Sequence, residues 1–310
     1  MQTARISVLP ISHPEYEAAI ASSGARFIDL GAETTGLVWT DSQDVRGLSE
    51  LLHSHHGIRW VQLPFAGVDN FQTVFAEAVR SGREIVFTSA KGAYREPVAE
   101  HALMLALSLA RSLPERINAK SWGRKFAVSL YDSNVLIIGG GGIAHELARL
   151  LQPFRANVTA LKRHVQQVDY VLGVATLAEL DECLPKADFV FVASALTSET
   201  KGIFNQHRFS LMKPSSYFIN IARGPIVVTQ DLIEALEKGS IAGAGLDVTD
   251  PEPLPDGHAL WSAPNVIITP HTADTPEMCV TLLSERIVEN GLRFASGQEL
   301  VGIVDLTLGY

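Results

Sequence analysis

A chain of 310 residues with 46% hydrophobic and 19% charged side chains is long enough for two packed domains and too apolar to be disordered. A net charge of −9 provides no field that would gather nucleic acid or an anionic membrane surface, and no uninterrupted apolar run reaches the roughly 18 residues of a membrane span. The opening MQTARISVLP lacks the long apolar core and small-residue cleavage site of a secretory leader. Cys183 and Cys279 form no C-x-x-C pair and read as free thiols in a reducing cytoplasm.

The first hundred residues alternate strand-like and helix-like runs. Strands are expected at 6–9, 26–30, 36–39, 60–63 and 84–88, and helices near 14–23, 43–54, 70–81 and 97–112. Such alternation predicts a parallel sheet flanked by helices. A second unit repeats the theme, with strands expected at 135–138, 157–161, 189–193, 217–221, 243–248 and 266–268. Helices are expected at 176–183, 204–210 and 229–238, with a long final helix over 275–296. No Pro/Gly/Ser-rich linker separates the halves, so a helix crossing between them is expected at the boundary.

The stretch NVLIIGGGGIAHELARLL (134–151) carries the strongest chemical signal. A short apolar strand runs into Gly139, Gly140, Gly141 and Gly142, and a helical pattern follows. Gly139, Gly141 and Ala144 give G-x-G-x-x-A between a strand and a helix, the context in which that spacing binds a dinucleotide. Gly139 permits the tight turn, Gly141 lets backbone approach a pyrophosphate, and Ala144 allows close packing of helix on strand. The helix N-terminus offers unpaired N–H groups to the phosphates.

The end of the next strand bears on which dinucleotide. An NAD site has Asp or Glu about 20 residues after the glycines, bonded to the ribose hydroxyls. Lys162, Arg163 and His164 stand there instead. A carboxylate repels a 2′-phosphate, whereas a Lys-Arg pair attracts it. The charge argument favours NADP over NAD; the competing reading is a solvated basic turn.

Three residues further on suit a reaction centre. Arg223 lies in INIARGPIV (219–227), Glu252 in GLDVTDPEPLP (245–255) and His271 in NVIITPHTA (265–273). All three follow strands, and ligands of open α/β sheets sit outside the carboxyl ends of strands. Hydride transfer to a 2-keto acid leaves negative charge on the carbonyl oxygen. His271 would supply the proton, Glu252 would orient the imidazole and favour its charged form, and Arg223 would hold the substrate carboxylate. Taken singly, each has a plainer explanation: a helix-capping Arg, a solvated Glu between prolines, and a His that satisfies a backbone carbonyl.

Jointly these segments resemble the D-isomer-specific 2-hydroxyacid dehydrogenases. The resemblance is carried by VAEHALMLAL (98–107), IIGGGGIA (137–144), ALTSET (195–200), MKPSSYFINIARGPIV (212–227), LIEALEKGSIAGAGLDVTDPEPLP (232–255) and ALWSAPNVIITPHTA (259–273). It implies an α/β architecture of two doubly wound parallel-sheet domains, with a Rossmann nucleotide-binding domain inserted into a flavodoxin-like substrate domain. Residues 1–97 would begin the substrate domain, 98–273 would form the NAD(P)-binding domain, and 274–310 would return to the first. Arg223, Glu252 and His271 match the family's catalytic residues. Asp247 matches the acidic residue that contacts the nicotinamide amide, and Gly142 and Ile143 match positions whose backbone contacts the pyrophosphate. Gly139, Gly141, Lys162, Arg163, Ala195 and Ile221 complete the implied cofactor set. PFAGVDNF (64–71) matches the loop that holds the substrate carboxylate, which places Phe65, Ala66 and Gly67 at the substrate. The resemblance also implies a cytoplasmic homodimer, formed through the nucleotide domains near the VAEHAL helix.

The chain departs from the family pattern at Lys162, at Ala195, where a proline is usual, and at Phe65, where a small residue is usual. The expected activity is NAD(P)H-dependent reduction of a small 2-keto acid, with glyoxylate or hydroxypyruvate first. Phosphoglycerate dehydrogenase is the nearest alternative, with Lys91 and Arg95 available to a substrate phosphate, although no extra regulatory domain is expected. Formate dehydrogenase fits less well, because that relative pairs its His with Gln. A dinucleotide-sensing co-repressor is the alternative of another class, and turnover discriminates it. No metal site is expected; His53, His55 and His56 read as a solvated turn.

Overall fold

The computed structural model describes residues 4–163 and 169–307. His164, in the basic run, lies outside them. The chain divides into two units, one made of the residues up to Tyr94 and from Thr275 onward, the other of Arg95–Asp274.

The first unit runs β1 (Arg5–Leu9), α1 (Pro14–Ser22), β2 (Arg26–Phe27), β3 (Gly36–Trp39), α2 (Val45–Ser54), β4 (Trp60–Gln62), α3 (Gln72–Ser81) and β5 (Val86–Thr88), and ends with the long α10 (Pro276–Ser296). Its sheet has the order β2-β1-β3-β4-β5 with every pair parallel. That is the flavodoxin-like order. Helices cover both faces, so β3 (GLVW) and β4 (WVQ) are buried along their whole length. The strand expected over 26–30 shrinks to two residues. Gly31 and Thr34 close a turn, with Thr34 N donating to Gly31 O and Thr34 Oγ1 accepting from Gly31 N, and this turns the edge of the sheet away early.

A buried polar network ties α10 to this sheet. Asn290 Nδ2 donates to Gln62 Oε1 (3.0 Å) and Val301 O (2.9 Å), and its Oδ1 accepts from Val301 N (2.7 Å). Thr88 Oγ1 donates to Gln62 Oε1 and accepts from Trp60 Nε1.

The second unit contains α4 (Arg95–Ala110), α5 (Leu113–Asn118), β6 (Asn134–Ile138), α6 (Gly142–Leu151), β7 (Asn157–Leu161), β8 (Gly173–Ala175), α7 (Leu180–Cys183), β9 (Phe189–Val192), α8 (Gln206–Leu211), β10 (Tyr217–Asn220), α9 (Thr229–Glu237), β11 (Gly243–Leu246) and β12 (Val266–Ile268). The order β12-β11-β10-β9-β6-β7-β8 is parallel throughout. The order in which the chain adds strands reverses between β6 and β9, the switch point where doubly wound sheets bind ligands. β8 was not expected: three residues, Gly-Val-Ala, at the sheet edge carry no periodicity to read.

Aromatic packing fixes one face, with Phe218 edge-on to Phe204 (4.8 Å between centroids) and to Phe209 (5.4 Å). On the other face α4 buries Ala99, Ala102, Leu105 and Leu109. Gly245 of β11 admits that helix, since a Cβ there would fall 3.0 Å from Leu105 Cβ.

Candidate active site

The glycine run lies at the carboxyl end of β6, at the reversal point. Gly139 sits at φ +131 and donates its N–H to Leu161 O (2.9 Å). A Cβ there would strike the carbonyl of Ala193 at the end of β9, so only glycine lets the two strand ends close up. A Cβ on Gly140 would fall 2.6 Å from Lys162 Cγ; the lysine stem therefore lies across the glycine turn. Gly141 differs: no atom lies within 4 Å of where its Cβ would stand. It is the N-cap of the ten-residue helix α6 and makes no side-chain cap, so the helix N-terminus begins beside that opening. Gly142 and Ile143 form the first turn.

Ser194, directly after Ala193, has a buried hydroxyl that finds no hydrogen-bond partner among the described residues. An open glycine cradle, an uncapped helix start and an unmatched hydroxyl at the strand reversal fit a dinucleotide.

Around this cradle Ile221 is buried, with its N–H on Val192 O (3.3 Å), and Ala195 is exposed, its carbonyl accepting from Thr200 Oγ1 (2.7 Å). Arg163 makes an ion pair with Glu199 of the same 195–200 loop (3.5 Å), a partner that its sequence position did not announce.

The second cluster forms where β10, β11 and β12 end. Asn220, fully buried, accepts from Ala222 N (3.1 Å) and donates to Arg223 O (3.1 Å), which fixes the turn that carries Arg223. Gly224 follows. A Cβ there would collide with Thr249 O and Asp250 N, so glycine is required for the Arg223 and Glu252 loops to meet. In the second loop Thr249 N approaches Glu252 Oε2 (3.4 Å), Thr249 Oγ1 donates to Pro251 O (2.8 Å), and Thr229 Oγ1 donates to Asp250 O (2.7 Å).

His271 Nδ1 and Glu252 Oε1 lie 2.7 Å apart. The hydrogen bond and charge of Glu252 hold the imidazole above its ordinary pKa against the opposing pulls of burial and Arg223. Reciprocally, His271 holds the Glu252 carboxyl below the usual carboxylate range. The remaining ring nitrogen, Nε2, belongs to a side chain 43% exposed. His271 has φ +53, a left-handed conformation rare for a non-glycine residue. Its N–H is held by Asp247 O (2.8 Å) and Thr269 O (3.0 Å).

Asp247 is 2% exposed, and both its carboxylate oxygens are used within the protein. Oδ1 accepts from Thr269 Oγ1 (2.6 Å) and Thr272 N (2.9 Å), and Oδ2 from Ala273 N (3.1 Å). Burial pushes this carboxyl up, but hydrogen bonds from His101, Thr269 and Thr272 outweigh it and keep it below its ordinary value. Asp274, on the same turn, is driven the other way by burial, with its pKa raised.

Phe65, Ala66 and Gly67 lie in the first unit, in the loop after β4. Phe65 O accepts from Ala90 N (3.0 Å), Tyr94 Oη donates to Pro64 O (2.6 Å), and the Phe65 and Tyr94 rings stand 6.1 Å apart. His53 and His55 bond through Nδ1 to carbonyls of their own helix, at Ser49 and Leu51, and no metal-like grouping of His, Cys, Asp and Glu occurs among the described residues. No described helix is long and apolar enough to cross a membrane.

Residues 102–273 match the family model for the D-isomer specific 2-hydroxyacid dehydrogenase, NAD binding domain. The chain is 34% identical over 245 residues to a glyoxylate reductase of Pyrococcus furiosus, covering 75% of this chain and 71% of that one. A D-isomer specific 2-hydroxyacid dehydrogenase of Xanthobacter autotrophicus, solved with NADPH and MES, superposes with a TM-score of 0.83 at 25% identity over 99% of both chains. An NADPH-dependent glyoxylate/hydroxypyruvate reductase of Sinorhizobium meliloti superposes with a TM-score of 0.80 at 26% identity, over 99% of this chain and 100% of that one. The chain therefore belongs to the D-isomer-specific 2-hydroxyacid dehydrogenases, NAD(P)-dependent oxidoreductases that act on a CH–OH group.

Proposed function

We propose that this protein reduces a small 2-keto acid of the glyoxylate or hydroxypyruvate type, with NADPH preferred to NADH. The observation that carries the reading is the 2.7 Å contact between His271 Nδ1 and Glu252 Oε1, on a cluster shared with Arg223. NADPH, when bound, would supply the hydride. His271, held charged by Glu252, donates a proton from Nε2 to the carbonyl oxygen as negative charge develops there. Arg223 holds the substrate carboxylate and polarises the carbonyl. Phe65, Ala66 and Gly67 offer backbone N–H groups and an apolar wall to the substrate.

Gly139, Gly141, Gly142 and Ile143 would cradle the pyrophosphate, and Ala195, Ile221 and Asp247 would border the nicotinamide end. Lys162 and Arg163 would receive the 2′-phosphate. This choice is supported by the lysine stem lying over Gly140, at the strand end where a carboxylate would mark NAD. The reading extends to a cytoplasmic homodimer, with residues 98–273 as the nucleotide domain, 1–97 as the first part of the substrate domain and 274–310 returning to it.

The test is oxidation of NADPH and NADH, followed at 340 nm, with glyoxylate, hydroxypyruvate, pyruvate, phenylpyruvate and 3-phosphohydroxypyruvate. Turnover of the two small acids with a higher kcat/KM for NADPH is expected, and Lys162→Asp should reverse the cofactor ratio. An unchanged ratio in that variant refutes the charge argument. Tight cofactor binding with no turnover of any acid refutes the enzymatic reading.

A further inference from the structure

We propose that His101 is a positioning residue for the proton donor: it ties the turn carrying His271 to α4 through Thr269 and Asp247. This rests on His271 being the donor. The bonds have a direction. Thr269 Oγ1 lies 2.6 Å from Asp247 Oδ1, and a carboxylate so well supplied with donors can only accept, so the hydroxyl proton points at Asp247. The same hydroxyl oxygen must then accept from His101 Nε2, 2.9 Å away. His101 Nε2 therefore carries a proton, and it also lies 3.4 Å from Asp247 Oδ1.

Asp247 in turn grips the donor's turn at four points. Its carbonyl receives the His271 N–H, and its carboxylate receives Thr269 Oγ1, Thr272 N and Ala273 N. These partners flank a residue whose φ of +53 must be imposed by its surroundings. His101 reaches Thr269 and Asp247 from outside residues 243–273. It projects from a sixteen-residue helix packed closely on β11 at Gly245. The imidazole thus ties a strained turn to a rigid element, and the His271 ring position follows from that tie.

The test compares His101→Leu, which removes the donor, with His101→Gln, which keeps an N–H at similar reach, and Thr269→Val with Thr269→Ser. Two readouts are taken: the His271 imidazole titration by NMR in the cofactor-free protein, and kcat against pH with NADPH and glyoxylate. In His101→Leu and Thr269→Val the His271 titration should move down toward an ordinary imidazole, and kcat should fall about tenfold, as expected for a misplaced reacting group. The Gln and Ser variants should recover most of both effects.

A wild-type His271 titration and kcat in folded His101→Leu and Thr269→Val overturns the proposal. Should His101→Leu fail to fold, the near-isosteric Thr269→Val carries the test alone. His271→Gln separates the two ideas: normal kcat there defeats the donor reading itself. Loss of activity there, beside unaltered His101→Leu and Thr269→Val, defeats only the positioning role.

Discussion

His271 and Glu252 set the pH behaviour of the proposed reaction. Glu252 raises the imidazole pKa, so the proton-donating form persists to higher pH than in a free imidazole. Keto-acid reduction should therefore decline as pH rises through that raised value, and hydroxy-acid oxidation should rise over the same interval. Glu252→Gln removes the charge that favours the imidazolium. The alkaline decline in kcat/KM should then move to lower pH, with kcat reduced by about tenfold or more for impaired acid–base work. A pH profile for Glu252→Gln that overlays the wild type would remove Glu252 from this role. The same shifts act on stability. The raised His271 contributes stability that is complete below its unfolded pKa and lost as pH rises through the folded one. The depressed Glu252 contributes above its unfolded pKa and loses that contribution as pH falls through its folded one. Both side chains are about two-fifths exposed, which keeps this contribution small.

At the scale of elements, α10 stands or falls with Asn290. This side chain is completely buried and uses its amide to join β4 to the chain at Val301. Asn290→Leu leaves Val301 N and O without their partner and should cost about 3 kcal/mol, the penalty of unmatched buried polar groups, measured as a lower denaturation midpoint at unchanged m-value. A midpoint equal to the wild type would show that water or relaxation replaces those bonds. The contrast between Asn290 and the glycine fingerprint explains what was legible in the sequence. The fingerprint announces itself because strand, turn and helix are contiguous, and its residue types answer local demands. Arg223, Glu252 and His271 were candidates because each lies in a segment that follows a strand, and the family resemblance singled them out jointly. His101, Asn220, Gly224 and Ser194 were not. His101 meets Thr269 across 168 positions, and Gly224 is needed only because the Thr249 loop descends on it. Such demands come from tertiary approach, which no local pattern encodes. Arg163 shows the converse: its charge was legible, its partner Glu199 was not.

At the scale of the molecule, the segment after α4 carries a run of exposed large apolar side chains. Ile117 is 73% exposed and Trp122 88%, with Leu113, Phe126 and Tyr131 also at the surface. Regular structure ends at Asn118, yet the segment is not loose. The Arg116 guanidinium donates to the carbonyls of Trp122 and Arg124, and Val128 N donates to Ala110 O. A held loop that displays Trp and Phe has paid its ordering entropy before any partner arrives, which favours association. The proposed homodimer supplies the partner, because a two-fold contact buries the same patch on both copies. Sedimentation velocity should therefore give twice the chain mass for the wild type. The double variant Trp122→Ser, Phe126→Ser should sediment as a monomer with its fold intact by circular dichroism. A wild-type monomer at micromolar concentration would sink the dimer, whereas a double variant that remains dimeric would move the interface off this segment.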